Sequence, residues 1–576
     1  MLTRLRRGGL GGQAAVTALF GLTFGYLTLR SFLGVDLADG SYPLVLSRRV
    51  AHGAMPLADE QGLHVFGSLP AAPFVLVWEA AFGSTGLILA TRLFTVAWIA
   101  VVVLVCQRAL TPTLPPLPVA AGLCGVTLAL PYAVIGTTYN TVAMFGLLLA
   151  TCAGFAAVHA RPRGWLPTAA VAAPVASIAF PGVTPGAVCL LLALLVVLRR
   201  QGASWAQIGR NLALPAALVV VALLVFLTVG PGWDQVEQSV ADQRTARPAT
   251  GGLGSVLDLF SSWLGGYLTE PGKLPLALLA AAAAAVLPWR QAAAAAALAA
   301  AGLLLWFASA QPGANMLDID DGTYPGAMGV LASVVLLPIA VRCAGRDAAT
   351  RQLLLLSAVT LPSLLGVQAM TASGFTFGAI AAGGAPFALA VFVAFAQFLS
   401  RPDLGRGWQV GLLAPALITG ACLTAVVFNE GTTFQQRNLV TSGPAAGLWV
   451  SDSSVTRIRA VETLADRCPA EARALVVGAP GGYLWLPARS AAMGSWLGND
   501  AVQSIPVERQ LARRPTCILA ARAAADPDWT AADQAVLDRL AVGMRPVGRP
   551  VFLHTSPTLG DIYVQVYAAG QASSGR

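Results

Sequence analysis

The residues best equipped for chemistry crowd into one stretch near the N-terminus. Gly34-Val35-Asp36-Leu37-Ala38-Asp39-Gly40-Ser41-Tyr42-Pro43 supplies two carboxylates, Arg48, Arg49 and His52 follow, and Pro56-Leu57-Ala58-Asp59-Glu60 adds two more acids. An ionised carboxylate within reach of a hydroxyl can act as a general base. A guanidinium fork matches the oxygens of a phosphate. The set therefore brings carboxylates near cations that could meet a phosphate. Asp39-Gly40 reads as a turn, and Tyr42 to His52 reads as an amphipathic helix lying in the membrane interface. Leu44, Val45, Leu46 and Val50 would face lipid or a helix bundle, leaving Arg48, Arg49 and His52 to reach a lipid phosphate. Blander roles exist for the same residues: Asp39 can cap the helix, and the two arginines can snorkel to headgroups.

The elements that must position this loop are apolar. The 576 residues are 56% hydrophobic and 11% charged, whereas a soluble domain is about a quarter charged. Runs of spanning length fall near 10–29, 87–106, 117–134, 141–159, 165–179, 185–198, 211–229, 274–287, 291–310, 325–341, 352–370, 375–399 and 408–428, about thirteen in all. With the N-terminus inside, Arg108, Arg161, Arg163, Arg199, Arg200, Arg210, Arg290, Arg342 to Arg351, Arg401 and Arg406 all fall on the cytoplasmic side. That agreement requires the semi-apolar stretch 69–82 to be juxtamembrane or re-entrant rather than a crossing. Longer loops at 31–82, 231–272 and 311–324 then face outward, together with everything after the last span.

The expected organisation is thus an α-helical polytopic membrane domain over 1–428, containing the loop at 31–82, and an extracytoplasmic α/β domain over 429–576. In the latter, 474–477 and 517–520 look like strands and 455–467 and 531–540 like helices. The expected location is a bacterial inner membrane.

The formal charge of +9 does not indicate nucleic acid, because the arginines sit in short clusters between apolar runs. Eight cysteines show no zinc-like or redox spacing. Cys468 and Cys517 both fall in the tail, where an oxidising compartment would permit a disulfide. Asp318, Asp320 and Asp321 look like the start of a calcium loop but lack its downstream glutamate. Any metal requirement stays open, a divalent cation being possible. His64 has no partner at ligand spacing. Tyr483 and Trp485 could stack on sugar rings or pack a core. The alanine runs 280–285 and 292–297 suit close helix packing. Charge is almost absent within the spans, which argues against a proton or ion pathway.

Asp39-Gly-Ser-Tyr42, then Arg48-Arg49, then Gly53-Ala-Met-Pro56-Leu-Ala-Asp59 resembles the first extracytoplasmic loop of GT-C glycosyltransferases. The likeness is to bacterial members related to protein mannosyltransferases and aminoarabinose transferases. Phe82-Gly83 and Thr91-Arg92-Leu93 resemble further landmarks, so the motifs cover residues 31 to 95. The resemblance implies transfer of a sugar from a polyprenyl-phosphate donor to an extracytoplasmic glycan, lipid or protein acceptor, with membrane lipid around it. It implies that Asp39 is the general base and Asp59 a second essential acid. Gly40 stands where the family often has an acid, Leu57 where it often has Tyr, and Asp36 competes for the catalytic role. Asp36, Tyr42, Arg48, Arg49, His52, Glu60 and Lys273, the only lysine, are the candidate substrate-binding residues. Two other classes fit the residues. One is a polysaccharide polymerase or ligase acting on a lipid diphosphate through arginines near Arg244. The other is a non-enzymatic envelope transporter or scaffold.

Overall fold

In the computed structural model the described residues are 10–37, 40–60, 65–131, 134–159, 162–245, 288, 325–370, 377–400, 426–427, 431–469, 471–477, 480–486, 513–523, 537–556 and 560–569. Asp39, His64, Lys273 and the 318–321 acids lie outside them, as do the expected spans at 274–287 and 291–310 and residues 408–425 of the last one.

Helices dominate. The membrane part runs through α1 (Leu10–Ser31), α2 (Tyr42–Ala51), α3 (Val65–Ser68), α4 (Ala72–Phe82), α5 (Leu87–Leu110), α6 (Pro116–Leu128), α7 (Tyr139–His159) and α8 (Pro162–Ala179). It continues with α9 (Thr184–Arg200), α10 (Trp205–Ile208), α11 (Leu214–Val229), α12 (Trp233–Thr245), α13 (Pro325–Ala344), α14 (Ala348–Ala358), α15 (Pro362–Met370) and α16 (Phe377–Leu399). Among the described residues eight segments are long and apolar enough to cross a bilayer. The protein is a polytopic membrane protein.

Small side chains set the packing at its centre. Ala143, Ala150, Ala153, Ala156 and Ala157 of α7 meet Ala169, Ala170, Ala173 and Ala176 of α8 in one buried core. With so little volume between them, the backbones approach closely, as lipid-embedded helices require.

The tail is a small α/β unit. Its short ladders pair β1 (Val426–Val427) with β2 (Gly431–Thr432), and β3 (Asn438–Leu439) with β4 (Trp449–Val450). After α17 (Asp452–Ala465) come β5 (Ala474–Val477), β6 (Cys517–Ala523), β7 (Met544–Ser556) and β8 (Gly560–Ala569), arranged in the order β5-β6-β8-β7. Only the β5–β6 contact is parallel. Cys468 and Cys517 are bridged, with Cα atoms 5.9 Å apart, tying the end of α17 to the central strand β6.

Three expectations shift. Val426 and Val427 belong to a β-ladder rather than to the end of the last span. The strands β7 and β8 were not anticipated, because Pro546, Gly548 and Pro550 break the alternation of β7. The edge position of β7 tolerates them, since a proline there leaves no ladder partner unsatisfied. Third, α2 does not lie against lipid. Tyr42, Leu44, Val45 and Leu46 are buried between α4 and the tail.

Segment 65–82 has the length and hydropathy of a span, yet its surroundings return to their starting point. The Gly34 N–H donates to the Trp449 carbonyl at 2.8 Å, while the Gly86 and Ile88 N–H groups donate to Gly443 and Pro444 at 3.0 and 3.1 Å. The end of α1 and the start of α5 therefore dock on one short piece of tail. The chain between them thus leaves and rejoins the same short piece of tail. Gly83 and Gly86, at φ +62° and +68°, allow α4 to fold back beside α5, where Phe74 stacks on Phe94 with centroids 4.7 Å apart.

Several arginines gather at one set of helix ends. The Gln201 side chain donates to the Val158 carbonyl at 3.3 Å, and Thr350 bonds Gln397 at 2.8 Å. These contacts gather the ends of α7, α9 and α16 with the start of α14, near Arg199, Arg200, Arg346 and Arg351. At the other face, Gly230 at the end of α11 meets Met55 of the first loop.

Candidate active site where the first loop meets the tail

The loop and the tail share a single hydrophobic core. Val35, Leu37, Leu44, Val45, Val75 and Leu87 pack with Leu448, Val450, Ile458, Leu475, Tyr483 and Ile518. Everything polar in the loop is positioned against that core.

The described residues on either side of Asp39 are both fixed. The Gly40 N–H donates to Asp36 Oδ2 at 2.6 Å, and the Ser41 hydroxyl donates to the Asp36 carbonyl. On the other flank the Gly481 N–H donates to the Leu37 carbonyl at 2.6 Å. A Cβ at position 481 would lie 2.6 Å from that oxygen, so the approach of the 3-10 turn Pro480–Leu484 requires glycine. Asp36 is 7% exposed, and its carboxylate holds the turn. The geometry thus assigns the competing carboxylate a structural task.

Helix α2 begins with Pro43 in its first turn, where the fixed φ suits a helix start. It carries Arg48 and Arg49 to two different networks. Arg48 Nε donates to Glu79 Oε1 at 2.8 Å, and Nη1 is ringed by the carbonyls of Tyr483, Leu484 and Leu486 at 2.7, 3.2 and 3.1 Å. His52 Nε2 lies 2.6 Å from Glu79 Oε2. Arg48 is therefore a bolt between α2, α4 and the tail. Arg49 is paired with Glu60 and also donates to the Asp59 carbonyl at 2.7 Å. The Arg49 and Glu60 side chains are only 6% and 2% exposed. Arg48, Arg49 and Glu60, expected to contact substrate, are engaged with protein partners at low exposure, and pairs buried in this way secure the loop. Tyr42 is also buried, in the first turn of α2.

Asp59 faces outward. Its Oδ2 accepts from the Met55 N–H at 2.8 Å, and its Oδ1 lies 2.6 Å from Arg513 Nη1 of the tail. Arg513 Nη2 also reaches the Ala58 carbonyl at 3.3 Å.

Glu79 and Arg513 were missed from sequence, and Arg92 was noted only within the Thr91-Arg92-Leu93 landmark. Arg92 Nη1 gathers the carbonyls of Ser31, Leu33 and Gly34 at 3.2, 3.1 and 2.9 Å, closing the C-terminal end of α1 with a cation as the helix dipole favours. Glu79 was visible as a lone acid in an apolar helix, a costly placement that marks a polar partner. Arg513 lies 454 positions beyond Asp59 (513 minus 59) and gives no local signal. Tyr483 is core: its hydroxyl accepts from the Val476 N–H at 2.8 Å. Among the described residues no three His, Cys, Asp or Glu side chains come together as a metal group.

No family model and no curated protein matches the chain. Two crystal structures of ArnT from Cupriavidus metallidurans are similar to it. The apo state shows 16% identity over 97% of this chain and 100% of that one, at a TM-score of 0.40. The form bound to undecaprenyl phosphate shows 14% identity over 99% and 100%, at 0.43.

Proposed function

We propose that this protein is a GT-C-type membrane glycosyltransferase. It would move a sugar from a polyprenyl-phosphate donor onto a hydroxyl of a glycan, lipid or protein outside the cytoplasm, with Asp39 as general base. One observation carries the reading. The backbone is clamped on both sides of Asp39, by Gly481 on Leu37 and by Asp36 on Gly40, at the place where α1 and α5 meet the tail. Catalysis needs a base held in register with its substrate, and fixed backbone on both flanks of Asp39 supports that role.

The step balances simply. The acceptor oxygen attacks the anomeric carbon, its proton passes to the Asp39 carboxylate, and the carbon–oxygen bond to phosphate breaks with its electron pair leaving on the polyprenyl phosphate. The configuration inverts. A phosphate leaves without needing a proton, so one base suffices, and a cation must meet the charge that develops. Lys273 stays a candidate for that task. The positive-inside rule supports a cytoplasmic arginine-rich face and an extracytoplasmic tail, and we place the protein in a bacterial inner membrane on that reading. A disulfide between Cys468 and Cys517 suits that side.

The test is transfer by purified protein from labelled polyprenyl-phosphate sugars. Asp39→Asn should lower the rate by about 10²- to 10⁴-fold at unchanged expression, the range that a general base contributes. Transfer unaffected by Asp39→Asn, but lost on replacing Arg244, would overturn the reading in favour of a polymerase.

A further inference from the structure

We infer that Arg513, supplied by the tail, binds the donor phosphate and that Asp59 orients its guanidinium, an inference that rests on the function proposed above. Four described arginines reach the first loop, and Arg92 is engaged with the carbonyls that close α1. The side chains of Arg48 and Arg49 are 11% and 6% exposed and engaged by protein acceptors. The Arg513 side chain is 42% exposed. A guanidinium has five N–H donors, and two atoms of Arg513, Nη1 and Nη2, are taken up by Asp59 and Ala58. Its remaining N–H donors are not used by these two contacts, and the side chain is partly open to solvent.

Its mounting is stiff. Arg473 Nη1 donates to the Arg513 carbonyl at 3.3 Å, and Arg473 and Thr516 exchange hydrogen bonds of 2.8 and 2.9 Å at the head of β6. Cys517 follows at once and is bridged to Cys468. The only non-glycine residues with positive φ among those described are Leu57, at +68°, and Arg514, at +50°. They flank the two partners of this one ion pair, one on each side. Such conformations persist where the surroundings over-determine them, and they gather at ligand clamps.

Holding the tail in place does not account for the pair. The tail is already docked through the shared core and through Arg48, and an exposed ion pair adds little to stability. A guanidinium held by one carboxylate oxygen and one carbonyl still has N–H donors to offer a phosphate.

The experiment uses full-length protein in nanodiscs and measures binding of polyprenyl phosphate, of the uncharged polyprenol and of inorganic phosphate. For Arg513→Gln, polyprenyl-phosphate binding should weaken about tenfold or more, the effect of losing a charged hydrogen bond. Polyprenol binding should stay unchanged, and the donor KM should rise more than kcat falls. Arg513→Lys should recover part of the loss, and the control Arg467→Gln, remote from the loop, should show none. Competition by inorganic phosphate that disappears in Arg513→Gln would show that the phosphate alone is recognised. Its absence in wild type, with lipid binding still Arg513-dependent, would show recognition of the lipid-borne phosphate. Equal weakening of polyprenol and polyprenyl phosphate, or no weakening at all, overturns the inference. Wild-type protein that fails to bind or use polyprenyl phosphate overturns the proposed function itself. Asp39-dependent transfer that ignores Arg513 overturns the inference alone.

Discussion

Asp59 and Glu60 are neighbours in the chain and opposites in the structure. Glu60 turns inward to Arg49, both side chains being almost fully buried, whereas Asp59 turns outward to Arg513, which remains 42% exposed. A buried pair is costly to assemble and costlier to break, because removing one partner strands a charge away from water. An exposed pair is cheap on both counts. The loop thus uses one acid to fix its shape and leaves the next one to an exchangeable contact.

The sharpest way to break that contrast is Glu60→Gln. It leaves the Arg49 guanidinium buried without its counter-charge, and about 3–5 kcal/mol should be lost, read as a lower thermal midpoint or poor recovery of folded protein. The double variant Arg49→Met/Glu60→Leu should recover most of the loss, since no charge is then stranded. A Glu60→Gln protein as stable as wild type would show the inner pair to be no different from the outer one.

Severing the Cys468–Cys517 bridge by Cys517→Ala probes the outer partner's mounting. The cross-link closes a separation of 49 residues, and its removal should cost about 2–4 kcal/mol. Melting curves with and without reductant give the same comparison on unmodified protein. If the tail holds Arg513 through β6, transfer should suffer along with tail stability.

Gly481→Ala addresses position rather than charge. Its Cβ would collide with the Leu37 carbonyl at 2.6 Å and with Leu37 Cα at 2.8 Å. Relief requires the Pro480–Leu484 turn to back away from the Asp39 flank by a fraction of an ångström or more. Misplacement of about 1 Å can cost about 10²-fold in rate. Transfer should therefore fall far more than the melting temperature, and equal falls in both would argue against a clamp around Asp39.

What the sequence revealed of this junction follows from how far each cause reaches along the chain. Lipid imposes its demand residue by residue, so 87–106 announced α5 (Leu87–Leu110) and Tyr42 to His52 announced α2 (Tyr42–Ala51) almost to the residue. The loop's charged residues were equally visible, because their types alone mark them. Their partners were not. Whether Arg48 meets a phosphate or the carbonyls of Tyr483 and Leu486 is decided by chain folded back from more than 400 positions away. The polarity of α2 was misjudged for the same reason. Its apolar face fitted lipid or protein equally well, and the tail, which covers it, lies at the far end of the sequence.

The smallest expected effect is the most discriminating. In a double-mutant cycle on stability, Asp59→Asn and Arg513→Gln should each shift unfolding by no more than about 1 kcal/mol, with a coupling of about 0.2–1 kcal/mol, as exposed pairs show. The same cycle on Arg49 and Glu60 should give a coupling several times larger, because each single variant there strands a buried charge that the double variant removes. A coupling for Asp59 and Arg513 as large as that of the inner pair would mean that the tail is held shut at this point. Arg513 would then be structural, and the contrast between the two acids would vanish. A small coupling, alongside loss of donor binding in Arg513→Gln, leaves the outer arginine with no comparable structural task and separates its chemistry from its contribution to the fold.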